Sequence, residues 1–358
     1  MHTPSTTYRI QFNSSFSFKD ALAIAVYLKD LGIDALYASP ILEARPGSSH
    51  GYDVTDPFKI NPELGSGKEL KALTDELRRL GIGWLQDIVP NHMAFDSKNK
   101  LLMDVLENGP NSKFFRYFDI DWNCHHENIR GRVLAPFLGK FYGDALENGE
   151  IKLVYEGKRL KVAYYDWRFP LKIETYFQVF GYRLERLKRK LGKDNQDLMK
   201  FLGALYSLKN LPGEEKIEER YRQIYFARNI LAEIYSRNKQ AREFIDGNIK
   251  KFNGKPGEAE SFNLLDDLLS RQWFRLSFWK VANEEINYRR FFNINGLISL
   301  KMEDDEVFNN IHDFILKIYK ENKFQGLRID HIDGLYDPEN YLRKLRTKFK
   351  NAYIVVEK

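Results

Sequence analysis

The 358-residue sequence predicts an α/β fold, a (β/α)8 barrel of parallel strands interrupted by a long insertion. Three observations carry this. Strand-like and helix-like segments alternate through the first hundred residues and again from Val307 onward. From about Ala94 to Tyr288 that rhythm gives way to an aromatic-rich and then charged, helix-rich stretch. Polar residues gather at the C-terminal ends of the strands: Asp87 with Asn91 and His92, Arg328 with Asp330 and His331, and Glu357. An open doubly wound sheet would favour glycine-rich phosphate loops, and none is present. A barrel brings its C-terminal strand ends to one face, where active sites of that fold are built.

Each element has its own signal. Thr6 to Phe12 alternates as a short strand. Ser17 and Asp20 precede a helix over Ala21 to Leu31, with Leu22, Ala25, Val26 and Leu28 on its apolar face and Gly32 as its stop. Ile33 to Ser39 is a compact apolar run closed by Pro40, as in a buried parallel strand. Leu70, Leu73, Leu77 and Leu80 fall three and four apart in a helix over Gly67 to Leu80, and Gly83 to Val89 is the next strand. Beyond it, Ser112 to Trp122 and Gly131 to Gly143 read as irregular, Phe177 to Arg290 as mostly helical, and Asn253 to Glu260 as a mobile loop. The rhythm returns as helix Val307 to Tyr319, strand Gly326 to Ile332, helix Pro338 to Phe349 and strand Ala352 to Glu357. The domains expected are therefore residues 1–93 (strands one to three), an inserted subdomain 94–290, and a barrel continuation 291–358 (strands four and five).

Composition excludes several functions. The 56 Lys plus Arg are interspersed among 50 Asp plus Glu, as on solvated helix faces, so no nucleic-acid partner is expected. The longest apolar run, Ala21 to Leu28, is far short of a membrane span, and no basic-then-apolar leader is visible. A lone Cys124 can build neither an internal disulfide nor a multi-cysteine zinc site, which fits a reduced, cytoplasmic protein.

Asp330 and Glu357 end two successive strands, so a parallel sheet makes their side chains neighbours. Two carboxylates so placed suggest glycosidic chemistry, one attacking an anomeric carbon and the other protonating the leaving oxygen. Arg328, two residues before Asp330 and on the same side of the strand, is expected to hold that carboxylate ionised. An Asp and a Glu at strand ends also serve as helix caps or surface charges. Gln86-Asp-Ile-Val-Pro-Asn-His92 runs from a buried strand into a polar tip. Asn91 and His92 there suit sugar hydroxyls, although Asp87 equally suits tying down an arginine and His92 a satisfied buried histidine. In His50-Gly-Tyr-Asp53, Tyr52 offers a ring to stack on a pyranose, with His50 beside it.

Taken together, Gln86-Asp-Ile-Val-Pro-Asn-His92, Gly326-Leu-Arg-Ile-Asp330 and Val355-Val-Glu357 resemble, in that order, the conserved segments of the α-amylase superfamily, glycoside hydrolase family 13. Thr7-Tyr-Arg-Ile-Gln-Phe-Asn13, Leu36-Tyr-Ala-Ser-Pro-Ile-Leu42, Asp104-Val-Leu-Glu-Asn-Gly109, Asn287-Tyr-Arg-Arg-Phe-Phe292 and Asp330-His-Ile-Asp-Gly-Leu335 resemble more narrowly its trehalose-forming branch. The resemblance covers nearly the whole chain except about 180–260.

This resemblance implies a barrel of α-amylase type, truncated after about the fifth strand, with its long, mostly helical insertion after the third. It implies Asp330 as nucleophile, Glu357 as general acid and base, Arg328 as the nucleophile's partner, and Asn91 and His92 as sugar ligands. Tyr52, with His50, would form the stacking subsite over a structural Asp87, and His331 would stand beside the nucleophile. The implied activity is intramolecular transglucosylation of maltooligosaccharides or linear α-1,4-glucans, converting the reducing-end linkage to a terminal α,α-1,1 linkage. It implies no metal and no cofactor, and functional pairing with a trehalose-releasing hydrolase. An α-amylase-type hydrolase, a 4-α-glucanotransferase and a catalytically silent glucan-binding fragment are the alternatives. The family's third carboxylate, near the end of a seventh strand, has no counterpart before Lys358, so the chain alone is expected to be poorly stable or inactive. Asn293-Ile-Asn-Gly296 stands where the family usually has an acidic residue.

Overall fold

The structure, a computed structural model, describes residues 3–357. It divides into two compact units: Met1–Lys100 with Arg116–Asp119 and Arg289–Lys358, and Leu101–Phe115 with Ile120–Tyr288.

The first unit is built on five parallel strands: β1 (Thr7–Ile10), β2 (Ala35–Ala38), β3 (Gly83–Ile88), β4 (Gly326–Ile329) and β5 (Tyr353–Val356). Their order in the sheet is their order in the chain, with parallel pairing throughout. A doubly wound sheet reverses strand order at a switch point, so sequential order is the barrel pattern. The strands are shorter than the sequence predicts, at both ends: Ile33 and Asp34 precede β2, Ala352 precedes β5, and His331 and Ile332 follow β4. After Ile329 the chain turns at His331, whose φ of 50° is left-handed.

Helices of this unit start where their caps dictate. Asp20 accepts from the Ser17 N–H at 2.8 Å, which starts α1 (Phe18–Ala23) earlier than expected. At Ile24 the expected single helix divides, and α2 (Ala25–Asp30) follows. In α3 (Gly67–Arg79) Ser66 and Glu69 bond reciprocally, with Leu70, Leu73 and Leu77 buried. Asp304 caps α4 (Asp305–Lys320), and Asp337 with Pro338 opens α5 (Pro338–Lys348). Their apolar faces, Val307, Phe308, Ile311, Ile315 and Ile318 on α4 and Tyr341 and Leu345 on α5, are buried with Leu36, Leu327 and Ile329 of the sheet.

The second unit holds helices at Gln196–Lys209, Ile217–Arg237 and Lys239–Phe252, and more strand than the sequence predicts. Ile151–Glu156, Arg159–Tyr164 and Trp167–Pro170 form an antiparallel meander. Its first turn places Gly157 and Lys158 at φ 56° and 67°, the conformation of a tight hairpin. Val133–Leu138, expected to be irregular, pairs in parallel with Phe274–Phe278. Pro136 masks that strand in the sequence, and the ladder accommodates it with a register shift between Leu276 and Phe278. The 253–260 segment is a turn tied at its start by Asn253, whose side chain bonds both backbone groups of Leu153. Among the described residues no helix is long and apolar enough to cross a membrane.

Candidate active site

Sheet register assembles the site. Arg328 of β4 lies opposite Asp87 of β3, and Ile329 opposite Val356 of β5. Backbone bonds continue one residue further, Asp330 N to Ile88 O at 3.0 Å and Glu357 N to Ile329 O at 2.9 Å. Asp330 and Glu357 therefore leave adjacent strands at one level, and neighbouring strands are about 4.8 Å apart.

The Arg328 guanidinium joins three carboxyls. Its Nη1 donates to Asp330 Oδ1 at 2.7 Å and to both oxygens of Asp87 at 3.0 and 3.1 Å. Its Nη2 lies 2.9 Å from Glu357 Oε2, which also accepts from the His331 N–H at 3.1 Å. Asp87 is fully buried. Besides Arg328 it accepts from the Tyr52 hydroxyl at 2.5 Å and the Tyr37 hydroxyl at 3.1 Å, and Arg9 Nη1 lies 3.5 Å away. Burial pushes the Asp87 carboxyl upward while these donors pull it down. Burial likewise pushes the Tyr37 phenol up to about 12 and raises Tyr52, each helped by the neighbouring Asp87 charge, so both remain donors.

Arg328 was expected to hold Asp330 ionised, yet burial, joined by the charge of Asp87 and a hydrogen bond with Glu357, outweighs that guanidinium and raises Asp330 to about 7. Glu357 is half-exposed. Burial pushes it up, but the His331 N–H, Arg328 and Asp330 outweigh that and lower it. Burial thus favours a proton on Asp330, and the surrounding donors favour the charge on Glu357, opposite in direction to the division that glycosidic attack needs.

The remaining predicted residues adjoin this centre. Asn91 and His92 are each 1% exposed. Asn91 Oδ1 accepts from Arg289 at 3.1 Å. Burial, with the neighbouring His331, lowers His92 to about 3 and keeps its ring neutral, and its Nε2 is buried without a hydrogen-bond partner. Tyr52 was expected chiefly as a ring; its hydroxyl also accepts from Arg9 Nη2 at 2.9 Å. His50 Nδ1 accepts from the Tyr52 N–H at 3.0 Å, and its ring centre lies 5.9 Å from that of Tyr52. His331 packs edge-on against Phe291 at 4.6 Å, and Phe291 also meets His92 at 4.7 Å. Among the described residues no three His, Cys, Asp or Glu side chains are grouped to hold a metal ion.

Sequence reasoning missed four residues here. Arg9 and Tyr37 sit opposite one another in β1 and β2. Arg289 bonds Asp119 at 2.7 Å, Asn91, and the carbonyls of Gly334 and Leu300. Phe292, 71% exposed with φ 47°, presents its ring 5.0 Å from His331. An arginine inside an otherwise apolar-alternating strand was the available signal for Arg9.

Residues 25–185 match the α-amylase catalytic domain. Over 99% of its length the chain is 31% identical to a Mycobacterium tuberculosis protein named as a maltooligosyl trehalose synthase, covering 34% of that protein. The chain thus carries a segment similar to the α-amylase catalytic domain. Among solved structures, the chain is similar to a glycosyltrehalose synthase, at 33% identity and a TM-score of 0.68 over 99% of the chain and 37% of that protein. The maltooligosyltrehalose synthase of Arthrobacter ramosus gives 30% identity and a TM-score of 0.68 over 99% of the chain and 34% of its own length. The chain thus spans about a third of the length of the relatives it matches.

Proposed function

We propose that this chain supplies the catalytic carboxyl pair of an intramolecular transglucosylase that rearranges the reducing end of maltooligosaccharides, as the names of its relatives suggest. The observation that carries the reading is the single Arg328 guanidinium touching both Asp330 and Glu357. Two carboxyls so joined suit a retaining double displacement. The five strands are then the first five of an eight-stranded barrel, and 94–290 is an inserted subdomain between barrel portions 1–93 and 291–358.

Asp330 attacks the anomeric carbon of the penultimate glucose as Glu357 protonates the leaving oxygen. This requires the proton to pass from Asp330 to Glu357. A bound sugar supplies the cause, since it strips water from half-exposed Glu357 and raises its proton affinity. The released glucose then turns within the site and offers its anomeric hydroxyl, which Glu357 deprotonates as it attacks the glucosyl–Asp330 ester. Two inversions retain configuration and leave an α,α-1,1 linkage. Water has to be excluded, because its attack would only hydrolyse the chain. Asp87 anchors Arg328, and Asn91 holds Arg289. Tyr52 with His50 forms the floor of the subsite, and the neutral His92 ring packs behind it. His331 fixes Glu357 through its N–H, and Phe292 presents a ring for the acceptor glucose. The product's α,α-1,1 end is the substrate that a trehalose-releasing hydrolase would consume.

Product analysis with maltopentaose, on the whole protein that carries this chain, tests the proposal. Loss of reducing ends without free glucose is expected, and Asp330→Asn should abolish turnover while leaving glucan binding. Glucose and maltose without any non-reducing product would replace this reading with hydrolysis, and unchanged turnover in the variant would remove Asp330 as nucleophile.

A further inference from the structure

Asp87, Asp330 and Glu357 are three acids joined by Arg328, and among the described residues Arg9 is the only other guanidinium in contact with them, through Asp87 at 3.5 Å. Three acids against two guanidiniums leave one negative charge in excess, which a single retained proton neutralises. Arg9 touches neither Asp330 nor Glu357. It bonds the Tyr52 hydroxyl at 2.9 Å, and its guanidinium carbon lies 4.7 Å above the centre of the Tyr37 ring. Those two phenols are the donors that hold Asp87. Arg9 is thereby fixed by the ligands of Asp87, on the opposite flank from Arg328.

We infer that Arg9 is a positioning residue that acts as the second countercharge of the carboxyl cluster, setting through Asp87 the pH at which the pair gives up its shared proton. This rests on the catalytic reading only for its consequence in turnover; the electrostatic relation stands on the contacts alone. If Arg9 neutralises Asp87, Arg328 is left to serve Asp330 and Glu357. Without Arg9, Arg328 must offset all three carboxyls, and the cluster holds its proton to higher pH. Other groups facing the cluster are Tyr37 from β2, His50 and Tyr52 from the following loop, His92 after β3, and His331 and Asp333 after β4. Burial keeps the two tyrosines and His92 neutral through the relevant range.

The test is a carboxyl-carbon NMR titration of the whole protein that carries this chain, with the Asp330 signal assigned by its loss in Asp330→Asn. Arg9→Met should raise the upper midpoint of the cluster by about half a pH unit or more, a roughly threefold gain in proton affinity. Asp87→Asn should lower it, and Arg9→Met in the Asp87→Asn background should return it towards the wild-type value, because the two removed charges cancel. Arg9→Lys should hold the midpoint near wild type. A folded Arg9→Met with an unmoved midpoint overturns the inference. If that variant does not fold, an unmoved or raised midpoint in Asp87→Asn overturns it equally, and a lowered one supports it. The readout is a midpoint rather than turnover, so it separates this inference from the catalytic proposal: a shifted midpoint beside unchanged turnover in Asp330→Asn would sink the latter alone.

Discussion

Arg289 donates to the side-chain oxygen of Asn91 at 3.1 Å, from a point 198 residues further along the chain. The same guanidinium bonds Asp119 and the carbonyls of Gly334 and Leu300, so one side chain ties the segments that follow β3 and β4. Lysine has the charge but not the planar fork that reaches several acceptors at once. Arg289→Lys is therefore expected to cost about 2 kcal/mol, seen as a melting temperature lowered by several degrees. In the whole protein it should weaken substrate binding more than it slows the chemical step.

Asp330→Asn should stabilise the chain, increasingly as pH rises. The folded state keeps a proton on Asp330 up to about pH 7, whereas the unfolded chain has released it from the ordinary aspartate range upward. In that window the native state binds more protons, so wild-type stability falls with rising pH. Asparagine is neutral throughout. Thermal melts should nearly coincide near pH 4 and separate by several degrees at pH 8; a constant gap would contradict the raised proton affinity.

Gly334→Ala tests the loop beneath His331. A β-carbon there would overlap the His331 ring and come within 3.1 Å of Asn91 Oδ1. We expect a loss of about 1–3 kcal/mol in urea unfolding, as for other overpacked sites, with displaced His331 ring resonances.

The second unit has its own sensitive point in Glu107, which is 1% exposed and paired with Arg228 and, at 3.0 Å, with Arg159. Glu107→Ala leaves the buried Arg228 charge without its carboxylate, and such a break costs about 3–5 kcal/mol. Replacing Glu107 and Arg228 together by methionine should cost much less, which a double-mutant melt would show.

The strand–helix rhythm of the first unit was legible because each element carries its signal locally: Ser66 with Glu69 at a helix start, and apolar runs closed by Pro40 and Pro90. Asp87, Arg328, Asp330 and Glu357 were legible for the same reason, as polar groups ending buried strands. Arg9, Tyr37 and Arg289 were not, because their roles exist only across strands. Nothing in Thr7-Tyr-Arg-Ile10 shows that Arg9 lies opposite Tyr37. The meander of the second unit was missed despite a turn signal at Gly157, because its neighbours are rich in charge. The raised proton affinity of Asp330 could not be read at all, since it depends on burial and on a carboxylate 243 positions earlier, at Asp87.

The pairing of Asp87 with Arg328 has a kinetic consequence. These partners are separated by 241 residues, among the most distant contacts the chain makes. During synthesis Asp87 leaves the ribosome long before Arg328 exists, and its carboxylate then waits with Tyr37 and Tyr52 alone for a countercharge. The meander and its flanking helices close shorter loops and can organise in the interval. Assembly of the carboxyl cluster is thus postponed until residues 328–357 have emerged, and an early pause would expose the open edge of β3 to whatever strand arrives first.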